Sequence, residues 1–280
     1  MTTPTEGGHF YLSDGTPFYT VPNKSRPGEV RPATVRDALK AVAEPSVSTV
    51  LKAAAAPGLV RYFVNSALDS ALTLPRLPGE SLDAFKARAL LDSQEQAKRA
   101  RDRGTELHTA IERHLSCQPF DSQFGPHVAN VESALADKGI NIREGRSERS
   151  FCLPGQYAGK VDLHGEGWVL DFKGVDDAKI GGRLGYPEHV RQLSAYANGL
   201  GMPDARLLNV FIGRTDGAVV VREWAPEDAV DALAEFLALL RFYRLVNGFP
   251  VDATESTMTT AQHSATAVGQ TETSSSLEAA

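Results

Sequence analysis

The sequence predicts an α/β domain of the α+β, mixed-sheet kind, with a helical N-terminal portion ahead of one central sheet. Three observations predict it. Long-chain helix formers dominate residues 34–138, five short β-type runs lie between 146 and 224, and a strongly amphipathic segment follows at 226–246. The order is helices, three strands, helix, two strands, helix.

Residues 9–21 set two aromatic-rich runs around Asp14-Gly15, a turn dipeptide, and read as a β-hairpin. Residues 22–33, rich in Pro and charge, read as a loop. Helical composition occupies 34–43 and 46–72 with a break at Pro57-Gly58, and Ser46 suits an N-cap. From Ser81 to Leu115 the pattern is helical again. Gly104-Thr105 is expected to divide it into two helices, with Thr105 capping the second. A helix at 126–138 ends at Gly139. Strands at 146–153, 157–164 and 167–173, separated by Gly-containing turns, read as consecutive antiparallel neighbours. A helix at 188–200, strands at 206–212 and 218–224, and the helix at 226–246 complete the domain. The expected organisation is an N-terminal hairpin and loop over 1–33, the main domain over 34–250, and a disordered Thr-, Ser-, Ala- and Gln-rich tail over 251–280.

With 280 residues, 42% of them hydrophobic, the chain can fill a sizeable core. It holds no run of about 18 apolar residues and no apolar leader near its start, so no membrane association is expected and the cytoplasm is the expected compartment. Two cysteines, Cys117 and Cys152, are too few for a disulfide scaffold or for the four thiolates of an iron–sulfur cluster, and both are expected to be reduced and structural. The net charge of −6 argues against a polyanionic partner at first sight. Four of the acids, however, sit in residues 251–280, which carry no Lys or Arg. The rest of the chain then balances 31 acids against 29 bases, which leaves room for a basic groove.

The chemically informative segment runs from Tyr157 to Lys173. Asp162 lies near the end of one predicted strand and Asp171 near the end of the next, so a tight hairpin sets them roughly opposite each other. Asp171 and Lys173, two apart, share a face, with Leu170 and Phe172 on the other. Two carboxylates and an ammonium on one side of a sheet suit a hard divalent cation, Mg²⁺ or Mn²⁺. Taken alone, Asp-x-Lys on a strand is usually the pattern of a solvated surface, with Asp162 in an ordinary ion pair with Lys160 or Lys173.

Four ordered pieces widen the picture: Arg103-Gly-Thr-Glu-Leu-His108-Thr-Ala-Ile-Glu112, Tyr157-Ala-Gly-Lys-Val-Asp162, Val169-Leu-Asp171-Phe-Lys173-Gly and Gln192-Leu-Ser-Ala-Tyr196. Together with Pro45-Ser-Val-Ser-Thr-Val-Leu51 and Pro57-Gly-Leu-Val-Arg61 they resemble, over about residues 45–200, the RecB-like branch of the PD-(D/E)XK nucleases. The nearest resemblance is to its cluster-free phage and mitochondrial-type exonucleases. The resemblance implies a PD-(D/E)XK restriction-endonuclease-like core. It implies metal ligation by His108, Asp162, Asp171 and the Phe172 carbonyl, and catalysis by Asp162, Asp171 and Lys173 with Gln192 and Tyr196 supporting the site or the DNA backbone. Glu112 and Glu148 are readable either as functional acids or as solvated or ion-paired residues.

The implied function is a Mg²⁺- or Mn²⁺-dependent DNA exonuclease acting on single strands or end-containing duplex, without an iron–sulfur cluster, in recombination, repair or phage DNA metabolism in a bacterial or phage-infected cell. A recombination or single-strand-binding protein is a conceivable partner, and an oligomer is compatible with the sequence. The alternatives are a nuclease-fold protein that binds DNA without cutting it and a structure-specific endonuclease. Lys98, Arg101, Arg103, Arg183, His189 and Arg191 are candidates for a phosphate track, and Tyr62, Phe63 and Tyr186 for base stacking.

Overall fold

The computed structural model describes residues 8–54, 57–182 and 184–251; the expectation of a disordered tail and the candidate Arg183 fall outside these, Val251 excepted. The described residues form a mixed α/β structure with helices and one five-stranded mixed sheet.

The N-terminal turn forms as expected, with Gly15 at φ +83 and the Thr16 amide donating to Asp14 Oδ1 at 2.8 Å. The flanking runs pair elsewhere. Phe10–Tyr11 (β1) joins Glu44–Pro45 (β4), leaving one bridge from Tyr11 to Pro17 across the turn. Thr20–Pro22 (β2) pairs with Val30–Pro32 (β3), so the segment expected to be a loop supplies half of a hairpin. A capping box between Thr34 and Asp37 starts Val35–Ala41 (α1), and Ser46 caps Val47–Leu51 (α2). Pro57–Thr73 (α3) follows.

The expected division at Gly104-Thr105 is absent. Leu82–Leu115 (α4) is one helix of 34 residues, and the Thr105 hydroxyl donates back to the Arg101 carbonyl at 3.1 Å instead of capping a new helix. A side chain built on Gly174 would lie 3.5 Å from Gly104 Cα, so here the helix backbone runs close beside the sheet. That packing outweighs the roughly 1 kcal/mol that glycine costs inside a helix.

Gly125–Ala136 (α5) precedes Arg146–Leu153 (β5), Tyr157–Gly165 (β6) and Trp168–Val175 (β7); then come Pro187–Gly199 (α6), Arg206–Gly213 (β8), Val219–Glu223 (β9) and Pro226–Asn247 (α7). The sheet order is β5-β6-β7-β8-β9, antiparallel except for the β7–β8 pair, whose parallel pairing requires the crossover that α6 provides. Each face of the sheet has its own core. Val169, Leu207 and Val161 join Leu193, Phe236 and Leu240 of α6 and α7, together with Phe10, Ala33 and Val47 from the N-terminal segment. Leu170, Phe172, Leu208 and Val210 join Leu107 and Ile111 of α4 and Val128 and Val131 of α5. Each large side chain so buried contributes about 1.5–3 kcal/mol. Cys152 is half-buried in β5, whereas Cys117 is exposed, so the expected structural role fails there. Among the described residues no helix is long and apolar enough to cross a membrane.

One ion pair fastens the N-terminal segment to the far end of the chain. The Arg244 guanidinium of α7 donates to Glu44 Oε2 at 2.6 Å and to the Gln156 carbonyl at 2.6 Å, while the Gly155 amide donates to Glu44 Oε1 at 2.8 Å. Both side chains are buried. Glu44→Ala leaves the Arg244 charge buried without its partner and is expected to lower unfolding free energy by about 3–5 kcal/mol in urea titrations.

Candidate active site

The site is built where β6 and β7 part. Their ladder runs through Leu163↔Leu170, His164↔Val169 and Gly165↔Trp168, then stops at the step where Asp162 and Asp171 would meet. The two aspartates are therefore not opposed as an ordinary strand pair. Asp162 Oδ2 instead accepts the Phe172 amide at 2.9 Å, satisfying a backbone donor that the interrupted ladder leaves open. On its other side β6 is also irregular. The β5–β6 ladder omits Glu148 and Asp162, and Glu148 sits at φ +56, a conformation costly for a residue with a side chain. Its carboxylate forms an ion pair with Lys160. Val161 and Leu163 fall into opposite cores although strict alternation would put them on one face, so the chain turns over at Asp162.

α4 brings His108 to this point. Its Nδ1 lies 3.5 Å from Asp162 Oδ2, and its ring meets Phe172 edge-on, with centroids 5.9 Å apart. Asp171 is 2% exposed. Burial, reinforced by the negative charge of Asp162, raises its carboxyl pKa against the opposing pull of Lys173. For Lys173, burial lowers the pKa, but the charges of Asp171 and Asp162 and the hydrogen bond to Asp171 outweigh it, and the net shift is upward. The ammonium lies 2.9 Å from Asp171 Oδ1 and 2.8 Å from Oδ2.

Hydrogen bonds extend from this ion pair in both directions. Lys173 donates to Gln192 Oε1 at 3.1 Å, and Gln192 Nε2 donates to the Tyr196 hydroxyl at 2.9 Å. On the other side, Asn209 Nδ2 donates to Asp171 Oδ2 at 3.0 Å, and Trp224 Nε1 donates to Asn209 Oδ1 at 2.8 Å. Ammonium and indole N–H only donate, so each amide has a single orientation consistent with its neighbours. Burial, then the charges of Asp171 and Asp162, raises the Tyr196 phenol pKa and keeps the group protonated. The Gly159 of Tyr157-Ala-Gly-Lys-Val-Asp162 accounts for the ring's placement: a Cβ there would stand 3.0 Å from Tyr196 Cε1 and 2.8 Å from Phe151.

All seven residues singled out in the sequence thus lie in one region: Asp162 stands on the β6 side of the strand gap with His108 beside it, and Asp171, Phe172 and Lys173 stand on the β7 side, where Asp171 and Lys173 are linked to Gln192 and Tyr196. Among the described residues no three His, Cys, Asp or Glu side chains converge as a ready-made metal site. Sequence reasoning missed Asn209 and Trp224. Asn209 is fully buried in the otherwise apolar stretch of β8 that follows Arg206, and a lone polar residue in such a run was the available signal.

The basic candidates divide. Arg103 is used structurally, lying over the Phe124 ring at 4.3 Å and donating to Gln123 Oε1 at 2.8 Å and to the Arg214 carbonyl at 3.4 Å. Arg191 pairs with Glu235 of α7. The His189 pKa is pushed down to about 4 by burial and by the Lys173 charge, so its ring is neutral at neutral pH. Lys98 and Arg101 are exposed on α4, and Tyr62, Phe63 and Tyr186 are exposed as well.

Compared with protein-family models and with curated proteins, the chain matches none.

Lys173→Met removes the cation facing a buried carboxylate. In chelator-containing buffer at neutral pH it is expected to cost about 3–5 kcal/mol of unfolding free energy. Without Lys173 the raised Asp171 pKa rises further, and the folded state then takes up a proton that the unfolded chain does not hold at the same pH. The deficit relative to the unsubstituted protein should therefore shrink as the pH falls through that raised pKa, which urea unfolding at neutral and mildly acidic pH will read.

Proposed function

We propose that the protein is a Mg²⁺- or Mn²⁺-dependent deoxyribonuclease with a PD-(D/E)XK core, acting as an exonuclease on DNA ends. The observation that carries the reading is the juxtaposition, across one strand gap, of His108 and Asp162 with the buried Asp171–Lys173 pair and its Gln192–Tyr196 extension. The donor chemistry fits a hard cation. Two carboxylates close enough for Asp162 to raise the Asp171 pKa leave negative charge at the gap, and oxygen with imidazole ligation is what Mg²⁺ and Mn²⁺ accept. His108, Asp162, Asp171 and the Phe172 carbonyl would hold it. When bound, the ion supplies Lewis acidity toward the phosphate oxygens and acidifies water.

The chain's own groups do the rest. The Lys173 ammonium, fixed between Asp171 and Gln192, positions the attacking water and offsets charge that develops on the phosphate. Asn209 and Trp224 hold the Asp171 carboxylate in one rotamer, and Tyr196 holds Gln192. Hydrolysis adds water across one P–O ester bond, leaving a phosphate on one product and a hydroxyl on the other. Lys98 and Arg101 are the exposed cations on α4 suited to the strand's phosphates.

The test is nucleotide release from end-labelled single- and double-stranded DNA with Mg²⁺ or Mn²⁺. Asp171→Ala is expected to reduce release to background and Lys173→Ala to slow it by about 10²–10³-fold. Retention of DNA without cleavage under every metal condition overturns the enzyme reading in favour of a binding protein. Cutting of a circular single strand replaces exonuclease with endonuclease.

A further inference from the structure

Among the described residues, nothing covers the outer side of α3. Val60, Val64, Leu68 and Leu72 follow one another at intervals of four and are 62%, 52%, 55% and 82% exposed. That spacing forms one continuous ridge of about 18 Å. Ser70, on the opposite side of the helix, is buried where α3 packs along α4. An apolar ridge of this length on an otherwise folded surface calls for a partner.

We infer that a second copy of this chain covers the ridge, through antiparallel packing of α3 on α3 about a two-fold axis. The charges on the helix specify the register. From Val60 to Thr73 α3 carries one cation, Arg61, and one anion, Asp69; both are exposed, and neither has an ion pair among the described residues. Each follows a ridge residue by one position, Val60 or Leu68, so both lie on the same flank of the ridge. A two-fold axis lying between the two helices, perpendicular to the bisector of their antiparallel directions, keeps like flanks together. With the axis level with Asn65, Arg61 of each copy stands level with Asp69 of the other. The same axis sets Val64 of one copy between Val64 and Leu68 of the other, and Val60 between Leu68 and Leu72. The register that pairs the charges is therefore the one that interleaves the ridges, the i±4 packing that crosses helices at about −50°. A nucleic acid fits the ridge poorly, since a polyanion needs a row of cations and this face offers Arg61 alone.

Sedimentation of the full chain over a concentration series tests the inference without reference to nuclease activity. A monomer–dimer equilibrium is expected, with the mass doubling at the upper end. Leu68→Glu is expected to abolish the dimer while leaving the circular dichroism spectrum unchanged, because Leu68 makes no core contact. Arg61→Glu or Asp69→Arg should each raise the dimer dissociation constant about tenfold, since two symmetric pairs turn repulsive, and the double variant should restore it. A monomer at every concentration, a dimer indifferent to Leu68→Glu, or a double variant no tighter than the singles overturns the inference. So does a monomer that uses the ridge, as judged by Leu68→Glu, to bind a thymidine oligonucleotide or anionic vesicles.

Discussion

β6 and β7 share three residue pairs and then separate, because each has a longer partnership on its far side. β6 pairs with β5 along nearly its whole length, and β7 pairs with β8 over all eight of its residues. The separation opens a gap in an otherwise hydrogen-bonded sheet, and it leaves a backbone amide at Phe172 that must be satisfied. Asp162 satisfies it. Had the ladder continued, Asp162 and Asp171 would have been a directly opposed like-charged pair, which a sheet disfavours. The parted strands keep both carboxylates at one place without forcing them into contact, and every other feature of the site is arranged around that gap.

A buried carboxylate is tolerable only with compensation, and Asp171 has it from two sides. Lys173 supplies the charge and Asn209 a neutral donor, with Trp224 and Tyr196 fixing the orientation of Asn209 and Gln192, the amides that touch the ion pair. The result is a row of side chains from Trp224, just past β9, through β8 and β7 to α6 in which donors and acceptors have one consistent assignment. Such a row restricts side-chain motion, because turning any one member leaves a buried polar group unpaired. This rigidity is what the proposed hydrolysis would require of the groups around the gap.

The two cores deliver the parts from opposite sides. The α4–α5 layer packs under Leu170 and Phe172 and carries His108 to the gap, helped by the close passage of Gly104 beside Gly174. The α6–α7 layer carries Gln192 and Tyr196 and is tied to the N-terminal segment by Glu44 and Arg244. The length of α4 follows from this arrangement. Its C-terminal half is buried on the sheet and its N-terminal half packs along α3, so an internal glycine does not end it.

Local pattern determined most of the elements. The period-two runs gave the five strands of the sheet, Ser46 and Gly139 marked helix ends, and the seven residues proposed for the site were legible because their motifs are short and each lies within one element. The antiparallel pairing of the consecutive strands β5, β6 and β7 was legible as well, but partners farther apart in the chain were not. That Phe10–Tyr11 would leave its own turn for Glu44–Pro45, that Thr105 would continue a helix, and that Asp162 would take a backbone amide instead of facing Asp171 each depends on which distant segment offers the better contact. Asn209 and Trp224 belong to the same class. They stand 38 and 53 positions beyond Asp171, and only the parallel crossover from β7 to β8 brings them beside it. Periodicity and propensity act over a few residues and are written in the chain; hydrogen-bond satisfaction and charge compensation in a buried site are settled between residues that only the folded sheet makes neighbours.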